Sequence, residues 1–219
     1  ELHELLASTM IGGSNDDRMG RSLCIDTKAN EIVVGGYTFS PDFPTSEGAY
    51  GREVDGGLDG FIARLSLDLK AMTAATILSA GWIYCMLIHE NGDIYVGGHA
   101  ANELPTTPGA FYQDFDKASD QGFISRLSGD LTTLKASTVI PGSFAIGGGR
   151  ICSLNLCQTE DGHVLSAGWT RPLDFPISPG VYDETQNGNS DTYILKMNAD
   201  LSQVLGSTFI GGSRSERWN

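Results

Sequence analysis

The chain has 219 residues, 14 basic against 27 acidic, for a net charge of −13. A surface this acidic repels phosphate backbones and excludes nucleic acid as a partner class. Only 19% of residues are charged while 28 are Gly and 40% are apolar, which excludes a coiled coil or a disordered tail and suits many short strands joined by tight turns.

The chain opens on ELHELLAST, with no basic n-region or apolar h-region of a signal peptide. Residues 1–10 read as the outermost strand of a preceding sheet, because Leu2 to Met10 aligns with Leu131 to Val139 and Leu201 to Phe209. The glycine-rich loop Ile11-Gly12-Gly13-Ser14 follows, then a short mixed strand from Gly20 to Thr27. Lys28-Ala29-Asn30 makes a turn, matched downstream by Asn91-Gly92 and Asp161-Gly162, the strongest local hairpin signals. The next strand, Ile32-Val33-Val34, is apolar on both faces and must be covered on both. A proline-containing connection runs from Phe39 to Tyr50. A third strand, Asp59 to Leu69, alternates apolar with polar, and Ala74 to Ala80 closes the unit as a fourth.

Ala71 to Ile88 is an uncharged run of membrane-span length. Thr73, Thr76 and Ser79-Ala80-Gly81 break it into two buried strands around a turn, so no membrane span is expected.

The same succession then recurs. Gly36, Gly98 and Gly168 anchor three copies, spaced by 62 and 70 residues, with repeats over 11–77, 78–139 and 140–210. Three copies of a four-stranded unit, each strand-rich and apolar on both faces, predict an all-β fold: a β-propeller with three four-stranded antiparallel blades plus an N-terminal strand. Propellers close with about four to eight blades. The chain therefore reads as one incomplete propeller domain over 1–219, a fragment of a larger ring, whose partners are further blades on the same polypeptide or another chain.

The motifs resemble the bacterial SBBP-type β-propeller repeat: Ile11-Gly12-Gly13-Ser14, Gly92-Asp93-Ile94-Tyr95-Val96-Gly97-Gly98, Leu104-Pro105-Thr106-Thr107-Pro108-Gly109-Ala110-Phe111 and Asp59-Gly60-Phe61-Ile62-Ala63-Arg64-Leu65. Repeat two departs, with Ile77-Leu78-Ser79-Ala80 in place of the glycine loop and Glu103-Leu104 where the others carry Asp42-Phe43 and Asp174-Phe175. The resemblance implies a large secreted or surface-attached bacterial protein and no general activity.

Phe43, Leu104 and Phe175, beside Pro44, Pro105 and Pro176, are placed to plug grooves between blades, as are Tyr50, Phe111 and Tyr182 six residues after the prolines. Recurring aromatics are also stacking platforms for sugars. Two loops concentrate oxygen ligands of the kind Ca²⁺ takes: one with Asp114, Asp116 and Asp120, the other running from Asp183 to Asp191. Neither is an EF-hand, and solvated turns use the same residues. Calcium is the one cofactor suggested; the other reading is none.

Of four histidines, His89 and His163 fall at hairpin turns and are expected at the surface, and none shows metal-ligand spacing. Gly147-Gly148-Gly149-Arg150 lacks the Lys-Ser/Thr ending of a phosphate loop and reads as a turn. The four cysteines, Cys24, Cys85, Cys152 and Cys157, fall on or beside first strands as buried thiols, with a Cys85–Cys152 bridge as the alternative. The axis-facing strands offer Ser22, Cys24, Tyr84, Ser153 and Asn155, no catalytic constellation. The expected function is a non-catalytic extracellular or cell-surface scaffold or interaction module that binds protein or glycan. The alternative is a carbohydrate-binding propeller with repeated inter-blade pockets.

Overall fold

The computed structural model describes residues 3–54, 57–100, 103–115, 121–141, 151–171 and 175–214, with only the backbone of 151–154. Twelve strands and no helix occur among the described residues. They form three four-stranded antiparallel sheets in which strands adjacent in sequence pair. The first holds β1 (Asp17–Asp26), β2 (Glu31–Thr38), β3 (Asp59–Ser66) and β4 (Met72–Leu78). The second holds β5 (Gly81–Ile88), β6 (Ile94–Ala100), β7 (Gln121–Leu127) and β8 (Leu134–Ile140). The third holds β9 (Ile151–Gln158), β10 (Val164–Thr170), β11 (Asp191–Met197) and β12 (Val204–Ile210).

The three sheets share one register. Val33 lies opposite Cys24 and Arg64, Tyr95 opposite Leu87 and Arg126, and Leu165 opposite Cys157 and Lys196. The anchor glycines Gly36, Gly98 and Gly168 each face an aromatic ring residue, Phe61, Phe123 and Tyr193. Their glycine identity has a steric cause. A bulge in the first strand swings its backbone inward, so a Cβ at Gly36 would lie 2.0 Å from Arg18 O and one at Gly98 1.8 Å from Trp82 O.

Two turns repeat with the same backbone. The β1–β2 type of hairpin places Asn30, Gly92 and Gly162 at φ 59°, 87° and 77°. The β3–β4 type places Leu69, Leu131 and Leu201 at φ 58°, 62° and 58°. A left-handed leucine is costly, and its threefold recurrence marks a position where surrounding contacts hold it.

The sheets pack face to face. Val33 and Ile62 of the first sheet share a core with Ile83, Val96, Phe123 and Leu127 of the second. Tyr95, Ile124 and Ile140 on the other face of the second sheet share a core with Leu156, Val164, Tyr193 and Phe209 of the third. Strand β6 is accordingly buried at every residue, as its two-sided apolar pattern requires. The apolar run from Ala71 to Ile88 crosses between sheets: β4 is an outer strand of the first and β5 the first strand of the second. No helix among the described residues is long and apolar enough to cross a membrane.

The N-terminal strand expected over 1–10 is absent from its described part: residues 3–13 carry no strand and are largely exposed. An outer strand needs the third strand of its own sheet to satisfy its backbone, and among the described residues no such strand lies beside this segment. The glycine loop that follows is fixed instead by side chains. Gly13 N donates to Asp17 Oδ2 (2.7 Å), while Ser14 N and Oγ donate to Asp42 Oδ1 (2.7 and 2.8 Å). Those bonds hold the Asp42 carboxyl below its ordinary range. Repeat two departs at both ends of this contact: Ala80, which keeps the N–H but lacks the hydroxyl, stands where Ser14 would, and Glu103 stands where Asp42 would.

Candidate functional site

The polar chemistry of the chain concentrates at the junctions between sheets. Arg64 on β3 is buried; Nη2 donates to Asp26 Oδ2 (2.5 Å) and Nε to Glu31 Oε2 (2.6 Å). Its Nη1 crosses to Gly129 O in the second sheet's β7–β8 turn (2.9 Å). Arg126 repeats this one sheet later, with Nε on Asp93 (2.8 Å) and Nη1 on Ala199 O in the third sheet (3.0 Å). Lys135 adds a second cation on Asp93 at 2.6 Å. Burial alone would push the Asp93 carboxyl up, but the hydrogen bonds and charges of Lys135 and Arg126 outweigh it and hold it low. Lys196 is the third member; its recorded partner is Asp161 (3.2 Å) in its own sheet. The Asp161 carboxyl is held down to about 2, first by the Thr159 hydroxyl and then by Lys196 and His163.

His89 corrects the expected surface position. It is buried, its ring 5.4 Å from that of Tyr95 and its Nε2 3.0 Å from Gly162 O, so it joins two sheets. Its turn lies against the neighbouring turn rather than against water, which local sequence cannot reveal. His163 is half-buried beside Asp161. Tyr95 sends its Oη to Ala199 O (2.5 Å) under the Arg126 guanidinium, and burial pushes its hydroxyl up to about 12.

The proline block seals the same junctions. Phe43, Leu104 and Phe175 are all buried, and Leu104 and Phe175 lie within the two shared cores. The Phe43 ring lies tilted against Phe61 (centroids 4.5 Å apart) and the Phe175 ring against Tyr193 (4.6 Å). Farther along the block, Tyr50 N donates to Leu131 O and Phe111 N to Leu201 O, each 2.9 Å and each into the next sheet. Tyr182, expected to plug a groove, is instead 87% exposed, because no sheet lies against that face.

Two of the open clefts among the described residues gather polar side chains. One, of about 570 Å³, is lined by β1, β5, β9 and β10, including Arg21, Leu23, Met86, Asn155 and Trp169. Of the axis-facing residues expected from sequence, Ser22 Oγ is committed to Gly35 O (2.7 Å) and Cys24 Sγ to Met86 O (3.5 Å); Tyr84 is half-buried and Asn155 exposed. Ser153 and Cys152 have side chains outside the described residues. Cys24, Cys85 and Cys157 form no disulfide; Cys85 is buried as expected but Cys157 is exposed on the uncovered face of the third sheet. The second cleft, about 590 Å³, lies between the loops of the first two sheets and is lined by Tyr50, Arg52, Glu53 and Glu103.

Asp114 is exposed; Asp116 and Asp120 lie outside the described residues, as do Gly147-Gly148-Gly149-Arg150. Asp183 Oδ1 caps Thr185 N and Oγ1 (both 2.9 Å), and Asp191, fully buried, accepts from Asn187 N (2.8 Å). Among the described residues no three His, Cys, Asp or Glu side chains cluster as metal ligands. The junction residues were the ones sequence reasoning missed. Their signal was the basic residue at one register position in all three repeats, with an acidic residue near the preceding turn.

No protein-family model matches the chain, and no curated protein matches it.

Proposed function

We propose that the chain is part of a β-propeller of the SBBP repeat type, serving as a non-catalytic scaffold and interaction module on the outside of a bacterial cell. The observation that carries this reading is the repetition of one junction: an arginine on the third strand reaching a turn carbonyl of the next sheet, beside a proline-block N–H reaching a left-handed leucine carbonyl. Sheets joined by equivalent contacts stack with a constant operation, which is how blades build a propeller. On the first strand Ser22 Oγ and Cys24 Sγ bond backbone carbonyls, and Arg64 is held by the carboxylates of Asp26 and Glu31, as suits a scaffold.

A second reading, carbohydrate binding, is favoured by the cleft in which Tyr50 stands with Arg52, Glu53 and Glu103. An aromatic face with adjacent carboxylates suits a sugar ring and its hydroxyls. A glycan array followed by titration calorimetry separates the two. Binding lost in Tyr50→Ala establishes the lectin reading, and an array without hits leaves the scaffold reading. Small-angle scattering tests the architecture itself: an arc of three blades is expected, and a flat-layered sandwich would overturn it.

A further inference from the structure

We propose that the third sheet holds a calcium ion where β10 ends and β11 begins, bound by the Asp191 carboxylate together with Gln186 Oε1, Ser190 Oγ and Thr170 Oγ1. The inference goes beyond the scaffold reading and does not depend on it.

Thr170 closes β10, Asp191 opens β11, and the two are register partners. Directly opposed residues of an antiparallel pair share one face of the sheet. That face also carries Val164 and Tyr193, which lie in the core shared with the second sheet. Thr170, Ser190 and Asp191 are accordingly 0% exposed, so the chain itself encloses the site. Gln186 reaches the same place from the preceding loop. Its Nε2 donates to Thr170 O (3.4 Å) and Arg171 O (3.0 Å). With the amide nitrogen fixed on two carbonyls, the other end of the amide, Oε1, can act only as an acceptor.

Buried polar atoms are normally paired. Ser190 Oγ, Thr170 Oγ1 and Gln186 Oε1 are buried, and none has a hydrogen-bond partner among the described residues. The equivalent place in the first sheet is complete. There Thr38 donates to Asp17 Oδ1 (2.5 Å) and Ser40 to Asp17 Oδ2 (2.9 Å). Asp17 lies opposite Thr38 on the first strand of its sheet, whereas Ile151 lies opposite Thr170. Isoleucine offers no acceptor, so the third sheet lacks the carboxylate that serves two hydroxyls in the first.

What the third sheet has in its place is a set of oxygens. The Asp191 carboxylate is fixed on two sides: Oδ2 accepts from Asn187 N (2.8 Å), and the Gly211 backbone comes so close that a Cβ there would lie 2.6 and 2.7 Å from the two carboxyl oxygens. A carboxylate and an amide oxygen are both acceptors and cannot satisfy each other. One cation serves both and also takes the lone pairs of the two hydroxyls. Ca²⁺ accepts such mixed oxygen sets in flexible geometry, whereas Mg²⁺ demands a near-ideal octahedron and gives up its waters reluctantly. With a single carboxylate the site belongs to the weak class, with a Kd of about 0.1–1 mM.

Titration calorimetry of Ca²⁺ into the chelator-treated chain tests this, with the melting temperature followed in parallel. Saturable binding in that range is expected, with Mg²⁺ far weaker. Asp191→Asn removes the one charge on the ion and should abolish the heat. Ser190→Ala keeps the answer readable if that variant does not fold, and should weaken Ca²⁺ binding about tenfold. It also has a signature that a purely structural hydroxyl lacks. In chelator it removes an unpaired buried hydroxyl and should melt no lower than the native chain; in excess Ca²⁺ it should melt lower. No heat and no melting shift up to about 10 mM Ca²⁺ overturns the site. Equal responses to Mg²⁺ and Ca²⁺ mark diffuse attraction to a chain of net charge −13 and overturn it as well. Calcium binding unchanged in Ser190→Ala places the ion elsewhere and also overturns the inference.

Discussion

Arg64 Nη2 lies 2.5 Å from Asp26 Oδ2 in an ion pair closed off from water on both sides. The pair is local in space and distant in sequence, and a third group, Gly129 O, ties it to the next sheet. Removing one member of a buried pair leaves the other charged and unpaired, at a cost of about 3–5 kcal/mol. Arg64→Met should therefore lower stability by that order in urea unfolding. Arg64→Met combined with Asp26→Asn should recover part of the loss, since Asn keeps an acceptor for Lys28 N and Ala29 N. A single-variant loss below about 1 kcal/mol would mean that the pair is screened like a surface one.

Acid should act through the same junctions. At Asp26, as at Asp93, burial pushes the carboxyl up and the surrounding donors outweigh it, Ala29 N and Arg64 at the first, Lys135 and Arg126 at the second. Both fold with a carboxyl pKa below the ordinary 3.8. The folded state then binds fewer protons than the unfolded one, so this stabilisation is complete above about pH 4 and is lost as pH falls through the folded values. The melting temperature should fall with pH below that point. Asp93→Asn should start less stable and show a shallower decline. Equal slopes for native and variant would show that Asp93 is not among the groups responsible.

Alkali should act through Tyr95, whose hydroxyl is raised from 10.0 to about 12, chiefly by burial. A group raised in the folded state contributes stability that is whole below its unfolded value and lost as pH climbs through the folded one. A loss between about pH 10 and 12 is expected in the native chain and a smaller one in Tyr95→Phe. At neutral pH that variant gives up one hydrogen bond, to Ala199 O, which still receives Arg126 Nη1. A cost near 1 kcal/mol is therefore expected in chemical unfolding, and one above about 3 would point to a role beyond that bond.

The repeat made the strands, their order and the buried Phe43, Leu104 and Phe175 legible in the sequence, because apolar period and turn residues act locally. What sheets do to each other is not local. His89 sits on a hairpin turn and still became buried, because the turn of another sheet lies over it. Tyr182 occupies the same place in its repeat as Phe111 and nonetheless faces solvent. Residues 3–10 carry the outer-strand pattern and form no strand, since pattern supplies a face but not the neighbour whose backbone completes it. The acidic loop from Asp183 to Asp191 reads as a set of oxygen ligands, and in the structure Asp183 and Asp191 spend oxygens on their own turn.

The left-handed leucines permit a test whose sign depends on backbone geometry alone. Leu131 is fully buried at φ 62° and gives its carbonyl to Tyr50 N. Cutting its side chain to Ala should cost about 2–5 kcal/mol, as for other core leucines. Replacing it with Gly removes one carbon more and loosens the unfolded chain, and in an extended or helical position Gly is worse than Ala by about 0.5–1 kcal/mol. At positive φ the order reverses, because the Cβ that Ala retains is what makes this conformation unfavourable, by about 1–2 kcal/mol. Leu131→Gly should therefore be the more stable of the two variants by about 1 kcal/mol, and Leu201, at φ 58° and equally buried, should show the same inversion. Urea unfolding of the four variants reads it directly. If Ala proves the milder replacement at both positions, the leucines do not hold the left-handed conformation in solution. The carbonyl contact between sheets would then need another geometry.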